Sequence, residues 1–274
     1  MIWSRVTAEF PELQDPSLAH EIFLGHGCAG TQQTVEPPTM TGWLASADRA
    51  VDLGKALLDF GAASVDIATA PEEDWANAWK AFFKARPVGK SLMICPSWET
   101  CPTAEDTKVI HLDPGQAFGT GEHPTTRLCI ELMEDAVRPG TSVLDLGCGT
   151  GVLTIAASLL GAGKLVATEI EPASADVAKA NLSRNGVDAE ILVTADVPEA
   201  AQFDLTVSNI VSAVLIRMAA DIGGCLHPGG TWILSGVIED NWPDVLKSAE
   251  RAGFELVSKR SEDGWIAGSL RKVN

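Results

Sequence analysis

The spacing of apolar residues changes character near the middle of this chain. Over residues 3–10 apolar and polar positions alternate, as in a half-buried strand, and Pro11 ends the pattern. Residues 16–25 read as a helix closed by Gly25 and Gly27, and residues 31–45 as one or two strands broken at Pro37-Pro38. In residues 46–60 the stripe Leu53, Ala56, Leu57, Phe60 recurs at helical spacing, with Ser46 as a cap. A short strand follows at 63–68. This order of strands and helices predicts a small α+β unit of ferredoxin-like type over residues 1–70. Residues 72–84 then predict a helix carrying Trp75, Trp79, Phe82 and Phe83 on one face, a stripe suited to packing. Pro87-Val88-Gly89 breaks it. Strands are expected at 91–97 and 107–112, with a polar, bendable segment at 99–106. Residues 71–105 therefore read as a linker helix and hinge.

From residue 142 onward the pattern is regular. Strands at 142–146, 164–170, 190–194, 203–210 and 231–235 alternate with helices at 150–160, 172–185, 211–226 and 242–252. Two strands, 254–259 and 264–271, close the chain. The short join Arg260-Ser261-Glu262-Asp263 makes the last one antiparallel. Apolar strands alternating with helices require a sheet buried on both faces. The expected class is α/β, with a Rossmann-like, mostly parallel seven-stranded sheet in a domain over residues 106–274.

Length and charge narrow this picture. The 274 residues suffice for one large core and a smaller satellite. No apolar run reaches membrane-spanning length and no secretory leader pattern opens the chain, so a cytoplasmic protein with no membrane association is expected. The net charge of −17 repels nucleic acid and favours a basic partner. The six cysteines are scattered without a C-x-x-C pair, so reduced buried thiols and no metal are expected. Tyrosine is absent, which removes a phenol from any mechanism.

Candidate chemistry gathers where the predicted parallel strands end, the place where open α/β sheets bind ligands. After the first strand comes Asp145-Leu146-Gly147-Cys148-Gly149-Thr150-Gly151, a glycine-rich turn that lets a ligand approach bare backbone at a helix start near Thr150. Glu169, 22 positions after Gly147, ends the second strand, and a carboxylate there accepts both hydroxyls of a ribose diol. Asp196 after the third strand suits an adenine amino group. Asn209 after the fourth would lie over the reacting end of a cofactor. This set by itself fits either NAD or S-adenosylmethionine. Upstream, residues 113–126 read Asp-Pro-Gly-Gln-Ala-Phe-Gly-Thr-Gly-Glu-His-Pro-Thr-Thr, a shaped loop leading into a helix and a candidate lid or substrate platform.

The loop 113–126, the turn 144–151, Ser208-Asn209-Ile210 and the helix 73–84 together resemble the PrmA family, the methyltransferases of ribosomal protein L eleven. The resemblance covers nearly the whole chain, with the first 70 residues matching in layout more than in letters. It implies a class I methyltransferase domain using S-adenosylmethionine, with cofactor residues carried over to Thr126, Gly147, Glu169 and Asn209; the strand-end reading adds Asp145, Gly149 and Asp196 to the expected cofactor set. It implies methyl transfer to lysine side-chain and N-terminal amines of a basic ribosomal protein, recognised by residues 1–70. Asn209 and His123 become the catalytic candidates, and Phe118 and Glu122 the substrate contacts. Glu169 stands where the family usually has Asp, and Glu122 where it commonly has Thr. The strand end Asn209-Ile210-Val211 lacks the paired prolines of adenine-amine methyltransferases, which argues against a nucleobase substrate. A monomer without direct nucleic-acid contact is expected. The competing readings are a lysine methyltransferase for another protein and a cofactor-binding protein without turnover.

Overall fold

The computed structural model describes residues 2–10, 16–28, 30–34, 38–44, 47–71, 83–101, 107–113, 115, 117–198 and 202–273. The chain divides into two compact units, Met1–Phe83 and Lys84–Asn274.

In the first unit β1 (Ile2–Glu9), α1 (Pro16–Gly25), β2 (Gly30–Thr34), β3 (Thr39–Leu44), α2 (Ala47–Phe60) and β4 (Ser64–Pro71) follow one another. The stretch read as one or two strands is two, paired through Thr34 and Thr39. The sheet order is β2-β3-β1-β4, with every neighbouring pair antiparallel. Val6, Ala8 and Phe10 from β1 and its end meet Phe23, Met40, Leu44, Leu53 and Leu57 in one core. The buried stripe of α2 is Ala50, Leu53, Gly54 and Leu57. Phe60, expected at its end, is instead exposed and touches Phe10 edge-on, because Gly61 ends the helix there. The helix expected over 72–84 lies, as far as residue 82, outside the described residues; Phe83 is buried.

The second unit opens with a small sheet, β5 (Arg86–Val88), β6 (Leu92–Cys95) and β7 (Lys108–His111), in which β5–β6 is antiparallel and β6–β7 parallel. Strand β5 was read only as a helix break. Pro87 fits it because β5 is an edge, where one face of the ladder needs no donor. The Glu134 carboxylate holds the β5–β6 turn, accepting from the backbone N–H of Lys90 and of Ser91 and from the Ser91 hydroxyl, each at 2.7 Å. One expectation about the cysteines fails here. Cys95, at the end of β6, is disulfide-bonded to Cys101, with Cα atoms 6.1 Å apart, while Cys28, Cys129, Cys148 and Cys225 are free and buried. The turn after β6 doubles the chain back, a proximity that linear spacing does not display.

The large sheet contains β8 (Val143–Leu146), β9 (Leu165–Glu169), β10 (Glu190–Val193), β11 (Phe203–Asn209), β12 (Leu226–Ile238), β13 (Phe254–Glu262) and β14 (Trp265–Lys272). The helices are α3 (Pro124–Ala136), α4 (Val152–Leu160), α5 (Pro172–Arg184), α6 (Ser212–Cys225) and α7 (Trp242–Arg251). Strand order is β10-β9-β8-β11-β12-β14-β13. The first five run parallel, and β14 inserts antiparallel between β12 and β13, so the expected mostly parallel seven-stranded sheet is present. Every residue of β8 and β9 is buried, as central strands covered on both faces require. Helices α6 and α7 pack on each other, and with Trp232 and Phe254, whose ring centroids lie 5.1 Å apart, they close one core of the sheet.

Several boundaries differ from the sequence reading: the strand expected over 231–235 is β12, which runs from Leu226 to Ile238, and two further differences bear on the packing around the site. The last hairpin turns on Asp263-Gly264 alone, both with positive φ, so β13 extends through Arg260 and Glu262. This is the two-residue turn whose twist matches that of its strands. The extension matters: Arg260 bridges to Glu131 and Asp135, and Arg127 to Glu262, fastening α3 to β13. Helix α4 starts at Val152, capped by Gly151 in the left-handed region, rather than at Thr150.

Candidate active site

The strand order reverses its direction of winding between β8 and β11, which are direct neighbours with Leu146 paired to Ser208. Such a switch point leaves a crevice beyond the carboxyl ends of the strands. A cavity of about 540 Å³ lies there. Phe118, His123, Gly147, Gly149, Glu169 and Asn209, all singled out from the sequence, line it together.

Its floor is the glycine-rich turn. Gly149 has φ 53°, and a Cβ there would collide with the Phe118 carbonyl, so only glycine lets the 113–126 loop cross so closely. The two segments are joined: Thr150 donates its N–H to the Phe118 carbonyl at 2.9 Å and its hydroxyl to the Gly119 carbonyl at 2.7 Å. The Glu169 carboxylate accepts from the N–H groups of Gly149 at 2.9 Å, Ile170 at 2.8 Å and Glu171 at 3.1 Å. Three backbone donors fix a charged acceptor against the floor.

Asn209 ends β11. Its Nδ2 donates to the Thr126 hydroxyl at 3.2 Å, and its Oδ1 has no hydrogen bond among the described residues. His123 is the N-cap of α3. Its Nδ1 accepts from the Thr125 N–H at 3.4 Å and lies 2.8 Å from the Thr125 hydroxyl. Burial, reinforced by the nearby Arg127 guanidinium, holds this imidazole below its usual pKa. The neutral ring with an accepting Nδ1 carries its proton on Nε2. The imidazole stands between two aromatic rings, 5.6 Å from Phe118 and 4.7 Å from Trp265, both edge-to-face.

Four sequence candidates do not line the cavity. Thr126 is fully buried behind Asn209. Asp145 is buried beneath the floor, taking a 2.6 Å hydrogen bond from the Thr154 hydroxyl, while its Oδ1 has no hydrogen-bond partner among the described residues. Burial pushes its carboxyl pKa up to about 6. Asp196 is exposed beyond Thr194 and Ala195, which do line the cavity, and its backbone N–H donates to Thr194 Oγ1 at 3.1 Å. Glu122 is ion-paired to Arg86 of β5 at 2.5 Å. Its charge is thus met by a cation from its own chain, rather than standing free beside the site as its place in the loop suggested.

The structure adds lining residues that were not singled out. Ile210 directly follows Asn209, and Val214, Arg217 and Met218 line the cavity at helical spacing from one side of α6, a stripe legible in the sequence once Asn209 is chosen. Arg217 is exposed and forms no ion pair among the described residues. Trp265 carried no signal, because β14 reaches the site only by inserting beside β12. Three observations fit a nucleoside-bearing cofactor: the volume, the acceptor Glu169 at the end of β9, and bare backbone at Gly147 and Gly149.

Comparison with known proteins agrees with this geometry. The family model described as ribosomal protein L11 methyltransferase (PrmA) matches residues 34–273. The ribosomal protein L11 methyltransferase of Pelotomaculum thermopropionicum is 43% identical over 218 residues, covering 78% of this chain and 71% of the relative. That of Symbiobacterium thermophilum is 41% identical over 197 residues, covering 72% and 65%. Among solved structures, a ribosomal protein L11 methylase from Lactobacillus delbrueckii subsp. bulgaricus superposes with TM-score 0.64 at 31% identity, covering 70% of this chain and 98% of that one. A 16S rRNA guanine methyltransferase of T. thermophilus, solved with AdoMet and guanosine, superposes with TM-score 0.50 at 25% identity, covering 60% and 47%.

Proposed function

We infer the activity of this chain from one premise: the chain belongs to the PrmA family, the ribosomal protein L11 methyltransferases. It is an S-adenosylmethionine-dependent protein methyltransferase, and its substrate is ribosomal protein L11; the methyl acceptors in this reading are lysine side-chain and N-terminal amines. The observation that carries the reading is the cavity at the β8–β11 switch point, where Glu169 and Asn209 share one space with the 113–126 loop.

S-adenosylmethionine bound there supplies a methyl group on a sulfonium. The chain's residues do the rest. The Glu169 carboxylate, anchored by backbone N–H groups, is the acceptor for ribose hydroxyls, and Gly147 and Gly149 leave room for the cofactor backbone. An attacking lysine amine must be neutral, which costs about 4–5 kcal/mol at pH 7 from a pKa near 10.4. Phe118, exposed in the free protein, and Trp265 line the cavity, and their rings favour that form where a bound substrate covers them and displaces water from the amine. Thr126 occupies Asn209 Nδ2, so Oδ1 is the acceptor that aligns an amine N–H. His123 serves as an Nε2–H donor and orienter rather than as the base, because Nδ1 is already engaged by Thr125. The proton shed by the amine leaves to solvent before transfer.

The first unit is proposed to recognise the substrate. Its order β2-β3-β1-β4 with β-α-β-β-α-β connections supports a ferredoxin-like module. Glu9, Asp48, Asp52, Asp59 and Asp66 are all exposed on it, a surface suited to a basic protein. The division into recognition (1–70), hinge (71–105) and catalytic (106–274) segments is part of the same proposal. So are a monomeric state, cytoplasmic location and the lack of nucleic-acid contact. Among the described residues no helix is long and apolar enough to cross a membrane. The test is intact-mass spectrometry of purified ribosomal protein L11 after incubation with the protein and S-adenosylmethionine. Mass should rise in units of one CH2. An unchanged mass, with the cofactor shown to bind, overturns the substrate.

A further inference from the structure

Cys95 and Cys101 are the one disulfide-bonded pair among the described cysteines, and the methyl-transfer chemistry uses neither. Their surroundings differ. Cys95 is fully buried at the end of β6, whereas Cys101 is only partly buried. Only five residues separate them, and those five make contacts out of proportion to their number. Ser97 donates its N–H at 3.0 Å and its hydroxyl at 2.8 Å to the two oxygens of the Asp113 carboxylate. Glu99 accepts from the Ala85 N–H at 2.7 Å and pairs with Lys84 at 2.7 Å, at the first residues of the second unit.

Asp113 opens the 113–126 loop, and the bonds continue from it to the floor of the cavity. The backbone carbonyl of Cys95 accepts from Leu112 N–H at 2.9 Å, one residue before Asp113. The Asp113 backbone exchanges two 3.0 Å hydrogen bonds with the side chain of Asn181, which is buried. The same Asn181 Nδ2 donates at 3.0 Å to the carbonyl of Thr150 in the glycine-rich turn. A continuous set of bonds therefore runs from the disulfide through Ser97, Asp113 and Asn181 to Thr150. Such a chain of contacts is a route by which a change at the disulfide can reach the cavity floor.

We propose that Cys95 and Cys101 form a reversible redox pair that sets the order of the 113–126 loop and thereby the affinity of the cavity for S-adenosylmethionine. The oxidant is a low-molecular-weight disulfide such as oxidised glutathione. The more accessible Cys101 thiolate attacks one of its sulfurs, releasing one thiol and leaving a mixed disulfide on Cys101. The Cys95 thiolate then attacks the Cys101 sulfur, closing the bridge and releasing the second thiol. Two protein thiols are oxidised by two electrons, and one small disulfide is reduced to two thiols. The order follows from access, since Cys95 is more fully shielded than Cys101. In a reducing compartment a bridge of this kind is regulatory rather than permanent. Oxidation holds the 96–100 turn against Asp113; reduction frees it and loosens the loop.

The bridging does not depend on the proposed function, whereas the affinity change rests on it. Full-length protein is equilibrated in glutathione buffers stepped from reduced to oxidised. Alkylation and mass spectrometry then read the bridge, amide exchange reads Ser97, Leu112 and Asp113, and calorimetry reads S-adenosylmethionine. The expected results are a bridge within that range, amide exchange slowed about 5-fold or more, and affinity tightened about 5-fold in the oxidised form. Cys101→Ser should match reduced wild type in every buffer. The proposal is overturned if no bridge forms, if exchange at these amides is the same in both states, or if Cys101→Ser matches the oxidised protein. Bridging with altered exchange but equal measurable affinity overturns the coupling alone. Absence of cofactor binding in both states overturns the proposed function and leaves the exchange result to decide the redox pair.

Discussion

Replacing Thr126 by Val separates two accounts of the same residue. The family resemblance makes Thr126 a cofactor contact, whereas the structure buries it completely behind Asn209, with its hydroxyl accepting from Asn209 Nδ2 at 3.2 Å. Valine keeps the shape and deletes that acceptor. One neutral hydrogen bond contributes about 1 kcal/mol net. For a unit of this size the melting temperature should fall by about 2–4 °C. The larger effect should be on turnover. With Nδ2 released, Asn209 rotates and Oδ1 no longer aligns the amine. Misplacement by about 1 Å can cost on the order of 100-fold in rate. Rotation of a half-buried amide should cost less, about 10-fold in kcat, equivalent to about 1.4 kcal/mol. The cofactor dissociation constant should stay within about 2-fold, because no atom of Thr126 lines the cavity. Thr126→Ser, which restores the hydroxyl, should recover kcat. The assays are single-turnover methylation followed by mass spectrometry and calorimetry with S-adenosylmethionine. A dissociation constant raised about 10-fold with kcat unchanged would show that Thr126 meets the cofactor itself, and would refute the positioning role.

Three further outcomes follow from named contacts. Asp145 is fully buried with a folded pKa of about 6, above the usual aspartate value of about 3.9. The folded state therefore holds that proton more tightly, and stability is fully present below the unfolded pKa and falls as pH rises through about 6, by about 3 kcal/mol in all. Denaturant titration at successive pH values should show wild type losing about that much relative to Asp145→Asn between pH 4 and 7; a constant difference between the two proteins would exclude a shifted Asp145. Glu134→Ala removes the three hydrogen bonds that hold the β5–β6 turn and should destabilise the protein by about 2 kcal/mol in urea; a change below about 0.5 kcal/mol would mean water replaces the carboxylate. Glu122→Gln breaks a half-exposed pair with Arg86, so stability should fall by less than about 1 kcal/mol and the KM for ribosomal protein L11 should move by less than about 2-fold. A KM raised about 10-fold would return Glu122 to substrate binding.

Most of the second unit was legible because central parallel strands are buried on both faces. Val143–Leu146 and Leu165–Glu169 must be almost wholly apolar, and the polar residues that interrupt them at their carboxyl ends are therefore conspicuous. Glu169 and Asn209 stood out in this way, and the closely spaced glycines of 147–151 announced a turn that side chains could not make. The 113–126 loop was legible as a motif, though not as a shape. Where interpretation rested on the pattern of one element at a time, it was weaker. Phe60 fell off its stripe because Gly61 ended the helix, and β5 was hidden because an edge strand tolerates proline.

Local sequence thus determined the elements, their order and the chemical types available at the strand ends, since periodicity and backbone chemistry act over a few residues. Which of those groups face one another depended on contacts between distant segments. The insertion of β14 beside β12 delivered Trp265 to His123, Arg86 from β5 neutralised Glu122, and Thr126 was placed behind Asn209, 83 positions away, rather than in the cavity. Only the tertiary structure decided these, because pairing between segments far apart in the chain is set by how sheets and helices pack and leaves no period to read.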